Sequence, residues 1–124
     1  MTSAGAIFTA LSNGSYQKIG KQVTVWGYVD TSSVATGTLT NVFSIAGLPY
    51  TSNTLAYGYP ATIANVINVD WIVGALQIVG IIPASSTEII LSWATATSVT
   101  QFLASAVDSS DTRINFSATY QTTT

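Results

Sequence analysis

The side chains of this sequence that carry charge at neutral pH are five carboxylates, Asp30, Asp70, Glu88, Asp108 and Asp111, and three cations, Lys18, Lys21 and Arg113; histidine and cysteine are absent. Without those two residue types the commonest general base, the commonest metal ligand and the thiol nucleophile are all missing. A serine activated by Lys18 or Lys21 is formally available, but both lysines flank Gly20 in a turn signal, where an ammonium is solvated and charged. Glycoside hydrolysis needs two carboxyl groups roughly 5 to 10 Å apart, and no spacing in the chain signals such a pair. Asp108 and Asp111 in DSSD fall short of the oxygen count and alternation of a calcium loop, and capping of a turn by their side chains is the simpler reading. The expectation is a protein that is not an enzyme and uses no cofactor and no metal.

Recognition is the chemistry that remains. Rings supply large, stiff contact area with a polar handle, and the chain has six tyrosines and three tryptophans. Tyr50, Tyr57 and Tyr59 fall in the turn-rich stretch LPYTSNTLAYGYP with the amide of Asn53 close by. Loops on a rigid scaffold carry binding residues, so these four form the candidate ligand-binding set; packing over loop backbone is the competing use. Asp70 beside Trp71 has the carboxylate-plus-indole composition that grips a sugar, although a strand end and a core ring explain the pair as well.

The elements that would hold such residues are short strands. Turn signals recur at Asn13-Gly14, Ile19-Gly20-Lys21, Gly47-Leu48-Pro49, Gly58-Tyr59-Pro60, 83–86 and 108–111, the spacing of an all-β sandwich or barrel. Residues 22–30 alternate, with Val23, Val25, Gly27 and Val29 on one face and Thr24, Trp26, Tyr28 and Asp30 on the other. Gly27 in mid-strand marks a bulge or a ring over backbone. Residues 113–120 give the cleanest alternation, with Ile114, Phe116, Ala118 and Tyr120 facing in. Further strands are expected at 39–45, 61–69, 72–81 and 88–94. The 72–82 stretch is apolar on both faces, as in a strand covered by a second sheet on one side and a neighbouring subunit on the other, which makes Ile72, Leu76, Ile78 and Val79 the candidate oligomer interface. Val99, Phe102, Leu103 and Ala106 fall at helical spacing. The expected fold is a small antiparallel β-sandwich, jelly-roll-like, with one short helical turn.

Composition limits the partners. At 124 residues there is room for one core, and only 6% of residues are charged where about a quarter is usual. A membrane span does not explain the deficit, because the apolar run WIVGALQIVGII is shorter than the ~20 residues a spanning helix needs. The N-terminal stretch lacks the basic flank of a signal peptide, so exposure outside the cell would follow from lysis. A net charge of −2 with three cations argues against nucleic acid and against an anionic membrane surface. What remains is burial against other subunits and a neutral partner.

Three segments resemble the C-terminal receptor-binding tip domain of bacteriophage tail fibre proteins. GSYQKIG followed by QVTVWG (14–27) is similar to that family's opening G-x-Y-x-K/R-I-G-x-x-V-x-V-x-G; IAGLPY (45–50) is like its I-x-G-L-P-F/Y turn; and INFSATY (114–120) is like its closing I-R-F-S-G-T-Y, with Ala118 in place of the usual glycine. Nothing in the family's pattern aligns with 63–82. The resemblance implies a small antiparallel sandwich, usually a homotrimer, that caps a fibre of the virion outside the cell and binds a host cell-surface glycan or protein receptor without catalysis. Residues 1–13 would be a stub joining a shaft and 14–124 the tip domain. A structural trimerisation cap or virion decoration subunit with no ligand of its own is the alternative.

Overall fold

The computed structural model describes residues 2–3, 6–7, 10–31, 36–37, 43–55, 57–102 and 112–124. These hold the strands β1 (Thr2–Ser3), β2 (Ala6–Ile7), β3 (Ala10–Ile19), β4 (Gln22–Thr31), β5 (Thr36–Gly37), β6 (Ser44–Ala46), β7 (Tyr59–Ile67), β8 (Ala75–Ile82), β9 (Glu88–Thr95), β10 (Val99–Gln101) and β11 (Arg113–Gln121). Every pairing is antiparallel. Eight strands make one sheet, ordered β10-β9-β8-β7-β11-β4-β3 with β6 also on β9, while β1, β2 and β5 form a small ladder of their own.

Alternation places the core on one face of this sheet. Val23, Val25 and Val29 of β4, Ile114, Ala118 and Tyr120 of β11, and Ile89, Leu91 and Trp93 of β9 are all buried, joined by Ile78 and Ile82 of β8 and by Phe43, Ile45, Leu48 and Phe102. Each fully buried side chain of this size contributes about 1.5–3 kcal/mol over an exposed one. The opposite face of β4 and β11 carries Thr24, Trp26, Tyr28, Asn115, Ser117 and Thr119, as the period of two requires.

The sheet curls into an open half-barrel. The path after β6 follows the curl: this strand pairs with β9 near one end of the sheet, yet Tyr50, a few residues on, packs its ring edge-on against Tyr16 of β3 at the other end, with centroids 5.7 Å apart. Two residues later Ser52 bridges to Thr122, next to the end of β11. The far edge is tiled by two short pieces, β10 opposite 92–94 and β6 opposite 88–90 of β9. Between them Phe43 and Phe102 meet, their backbones joined by a 2.8 Å hydrogen bond from Phe43 N to Phe102 O.

Several expectations change. The eight main strands form one continuous antiparallel sheet, because β11 pairs with both β4 and β7. The helical turn is not formed where it can be judged: Val99–Gln101 is strand, since the Thr95 hydroxyl and amide hold the Ser98 carbonyl in a tight turn that returns the chain along β9. Residues 103–107 lie outside the described residues, as do Asp108 and Asp111. Residues 10–13, expected in a linker, are part of β3, and Asn13-Gly14 is mid-strand rather than a turn. Gly14 faces Gly27 across β3 and β4 with no shift in register. A Cβ on Gly27 would stand 2.7 Å from Gly14 Cα, so this glycine pair serves close backbone approach, not a bulge. Strand β8 starts at Ala75, leaving Trp71 and Ile72 in the preceding turn.

Candidate functional site

The four residues expected to bind ligand are not one surface. Asn53 is a hub of its own loop: its Oδ1 accepts from Tyr59 Oη at 2.7 Å and from Leu55 N at 3.1 Å, its N–H donates to Gln121 O, and its carbonyl accepts from Ser85 N. Tyr59 lies against the core, its ring 6.4 Å from that of Tyr120. Tyr50 sits between Tyr16 and the ammonium of Lys18, which is 5.3 Å from the ring centroid. Tyr57 alone stands free, 90% exposed. Three of the four residues therefore hold the loop in place.

The interface candidates divide as well. Ile78 is 6% exposed and faces the core opposite Trp93, so its side chain is not on the outer face where the sequence reading put it. The apolar run gives no parity signal, and a register shift between Ala75 and Gln77 sets the phase. Ile72 and Leu76 remain exposed and Val79 is half-buried on the outer side. Val73, which the sequence reading did not single out, is 102% exposed beside Gly74, whose positive φ of 85° turns the chain.

A cleft of about 320 Å³ opens where the curled sheet meets the 45–49 segment, walled by Tyr16, Val25 and Val29 on one side, Ile45 and Leu48 on the other, and Phe116 below. No carboxylate or ammonium lines it; its polar groups come from Asn13, Ser15, Tyr16, Trp26 and Tyr28, the last two of which also border the outer face of β4. The same junction is pinned from inside by Tyr120, whose buried hydroxyl donates to Tyr50 O at 2.8 Å and accepts from Tyr50 N at 3.3 Å. Lys18 Nζ donates to Gly20 O at 2.7 Å and to Thr124 O at 3.2 Å, which ties the β3–β4 hairpin to the end of the chain.

No family model, curated protein or solved structure matches this chain.

The site must therefore be read from its own chemistry. Among the described residues no group of three or more carboxylates lies close enough to hold a metal ion. The one described ion pair, Arg113 Nη2 to Asp30 Oδ2 at 2.7 Å, links neighbouring strands on the outer face, with the guanidinium over the Tyr28 ring. What the surfaces offer is rings, hydroxyls and amides in fixed positions, which bind and orient.

The Tyr120 clamp gives a test of the junction. Burial pushes its hydroxyl above the ordinary value of 10.0. The folded state thus holds this proton more tightly than the unfolded chain does, so the contribution is complete below pH ~10 and is lost as pH rises through the raised folded value. The Tyr16 hydroxyl, raised by its hydrogen bond to the Tyr50 side chain, titrates in the same direction. Tyr120→Phe should cost about 1–3 kcal/mol at neutral pH, because it strands the Tyr50 carbonyl, and should flatten part of the alkaline fall in stability. Urea unfolding at neutral pH and above pH ~10 measures both.

Proposed function

We propose that this chain is the tip domain of a bacteriophage-type tail fibre, a homotrimer on the outside of the virion that attaches to a host cell-surface glycan without catalysis. One observation carries the reading. The three segments that resemble the fibre-tip pattern, far apart in sequence, converge on one junction: Tyr16 and Lys18 from the first pack on Tyr50 from the second, and Tyr120 from the third clamps Tyr50 backbone. Residues with a shared structural job are what a fold signature preserves. A complete jelly-roll-like sandwich, with the small β1-β2-β5 ladder as the start of its second layer, belongs to the same proposal.

Low charge supports the oligomer, because three copies would cover apolar surface that a monomer leaves in water. The exposed apolar turn around Val73 and Leu76 equally favours the second reading, a structural trimerisation cap or decoration subunit. Light scattering on the purified chain is the first test. A mass near three times 12.9 kDa is expected, and a monomer at micromolar concentration overturns the trimer. Fluorescently labelled protein that adheres to bacteria then separates attachment from a purely structural cap.

A further inference from the structure

We infer that the convex face of β4, β11 and β7 is a saccharide-binding platform, with Trp26 and Tyr28 as stacking rings and Asn115, Ser117 and Thr62 as polar partners; this deepens the attachment reading and rests on it. Register sets the array. Trp26 lies opposite Ser117, which lies opposite Thr62, and Tyr28 lies opposite Asn115, which lies opposite Ala64. Two rises of about 3.3 Å separate the two rings along β4 by roughly 7 Å, and the three strands span about 10 Å. The groove they enclose measures about 330 Å³.

Its chemistry selects a neutral, hydroxyl-rich ligand. Trp26 is 46% exposed although it belongs to a fully paired interior strand, and an indole face in water stacks on the apolar face of a pyranose ring. Arg113, held by Asp30, sits over Tyr28 and fixes that ring from the strand end. No charged side chain lines the groove itself. Asn115 lines the groove, and its Oδ1 is enclosed without a hydrogen-bond partner among the described residues; a buried acceptor left unpaired is uncommon, and rotation of this side chain toward the groove would present it to a ligand hydroxyl. Because β4 and β11 are hydrogen-bonded on both sides, the platform is set before ligand arrives, which lowers the ordering cost of binding. Repetition in a trimer would raise weak single-site affinity by avidity.

The test is an NMR titration of the isotope-labelled protein with neutral tetrasaccharides of glucose and of N-acetylglucosamine at millimolar concentration. Shifts are expected at the Trp26 indole and the Asn115 side-chain amide, weakened roughly tenfold by Trp26→Ala and blocked by Thr62→Tyr, which fills the groove from an exposed position. Absence of shifts with both sugars, shifts confined to Tyr16, Ile45 and Leu48 of the other cleft, or shifts that survive both variants overturn the platform. The attachment reading fails separately: it falls if labelled wild-type protein adheres to no bacterium, and it stands without the platform if the two variants adhere as the wild type does.

Discussion

Trp93→Ala is expected to remove about 3–5 kcal/mol of unfolding free energy, a third or more of what a domain of this size commonly has. Trp93 is buried and is the hinge of an aromatic stack: the Phe102 ring lies 4.7 Å from it and the Trp71 ring 5.0 Å. Phe102 in turn meets Phe43, so the same side chain supports both short strands at the far edge of the sheet. Truncation leaves a cavity beneath β10 and β6, and their pairing to β9 is too brief to stand without side-chain support. Trp71→Ala is the control. Its ring is half exposed and covers the stack from the solvent side, so its loss should cost about 1 kcal/mol. Urea unfolding at a fixed protomer concentration compares the two, and equal losses would show that Trp71 closes the core as much as Trp93 does.

The second large effect is on assembly. Val73 and Leu76 are 102% and 71% exposed; if the proposed trimer covers this turn, lysine at both positions should leave the fold intact and lower the solution mass about threefold, because each charge would be desolvated without a partner. Ile78→Lys should behave differently. That side chain is opposite Trp93 in the core, and an unpaired ammonium there unfolds the protomer itself. Light scattering with circular dichroism distinguishes the outcomes. A double-lysine variant that keeps its wild-type mass would remove the 71–76 turn from any interface.

Legibility differed between parts of the molecule for physical reasons. Strands β4 and β11 were plain in the sequence because each has one wet and one dry face, and the structure keeps the parity of every residue from Val23 to Asp30 and from Arg113 to Tyr120. That alternation is the same whether a strand lies in a sandwich or in a curled sheet. What differs is pairing between residues far apart in the chain, such as Thr24 with Thr119, whose hydroxyls meet at 3.1 Å, and no local pattern encodes it. Gly14 was misread because an Asn-Gly pair is a strong turn signal, whereas its reason here is a second glycine across the ladder. The loop tyrosines show the limit on the functional side. Ring type and loop position suggested recognition, but Tyr59 and Asn53 satisfy each other, and only coordinates reveal that. The Trp26 and Tyr28 face was visible as an aromatic stripe, yet its polar half comes from β11 and β7, which the sequence does not place beside it.

The position of β11 bears on how the chain is made. This strand is the last in the sequence and sits in the interior of the sheet, between β4 and β7. During synthesis every earlier strand is already available, but β4 and β7 each present an open edge until residues 113–121 leave the ribosome. Pairing of the complete sheet therefore waits for residues 113–121, and its rate falls in the slow range set by closure of long loops. Without β11 the facing edges of β4 and β7 would both be open, and an open strand edge is the form most prone to pair with other chains.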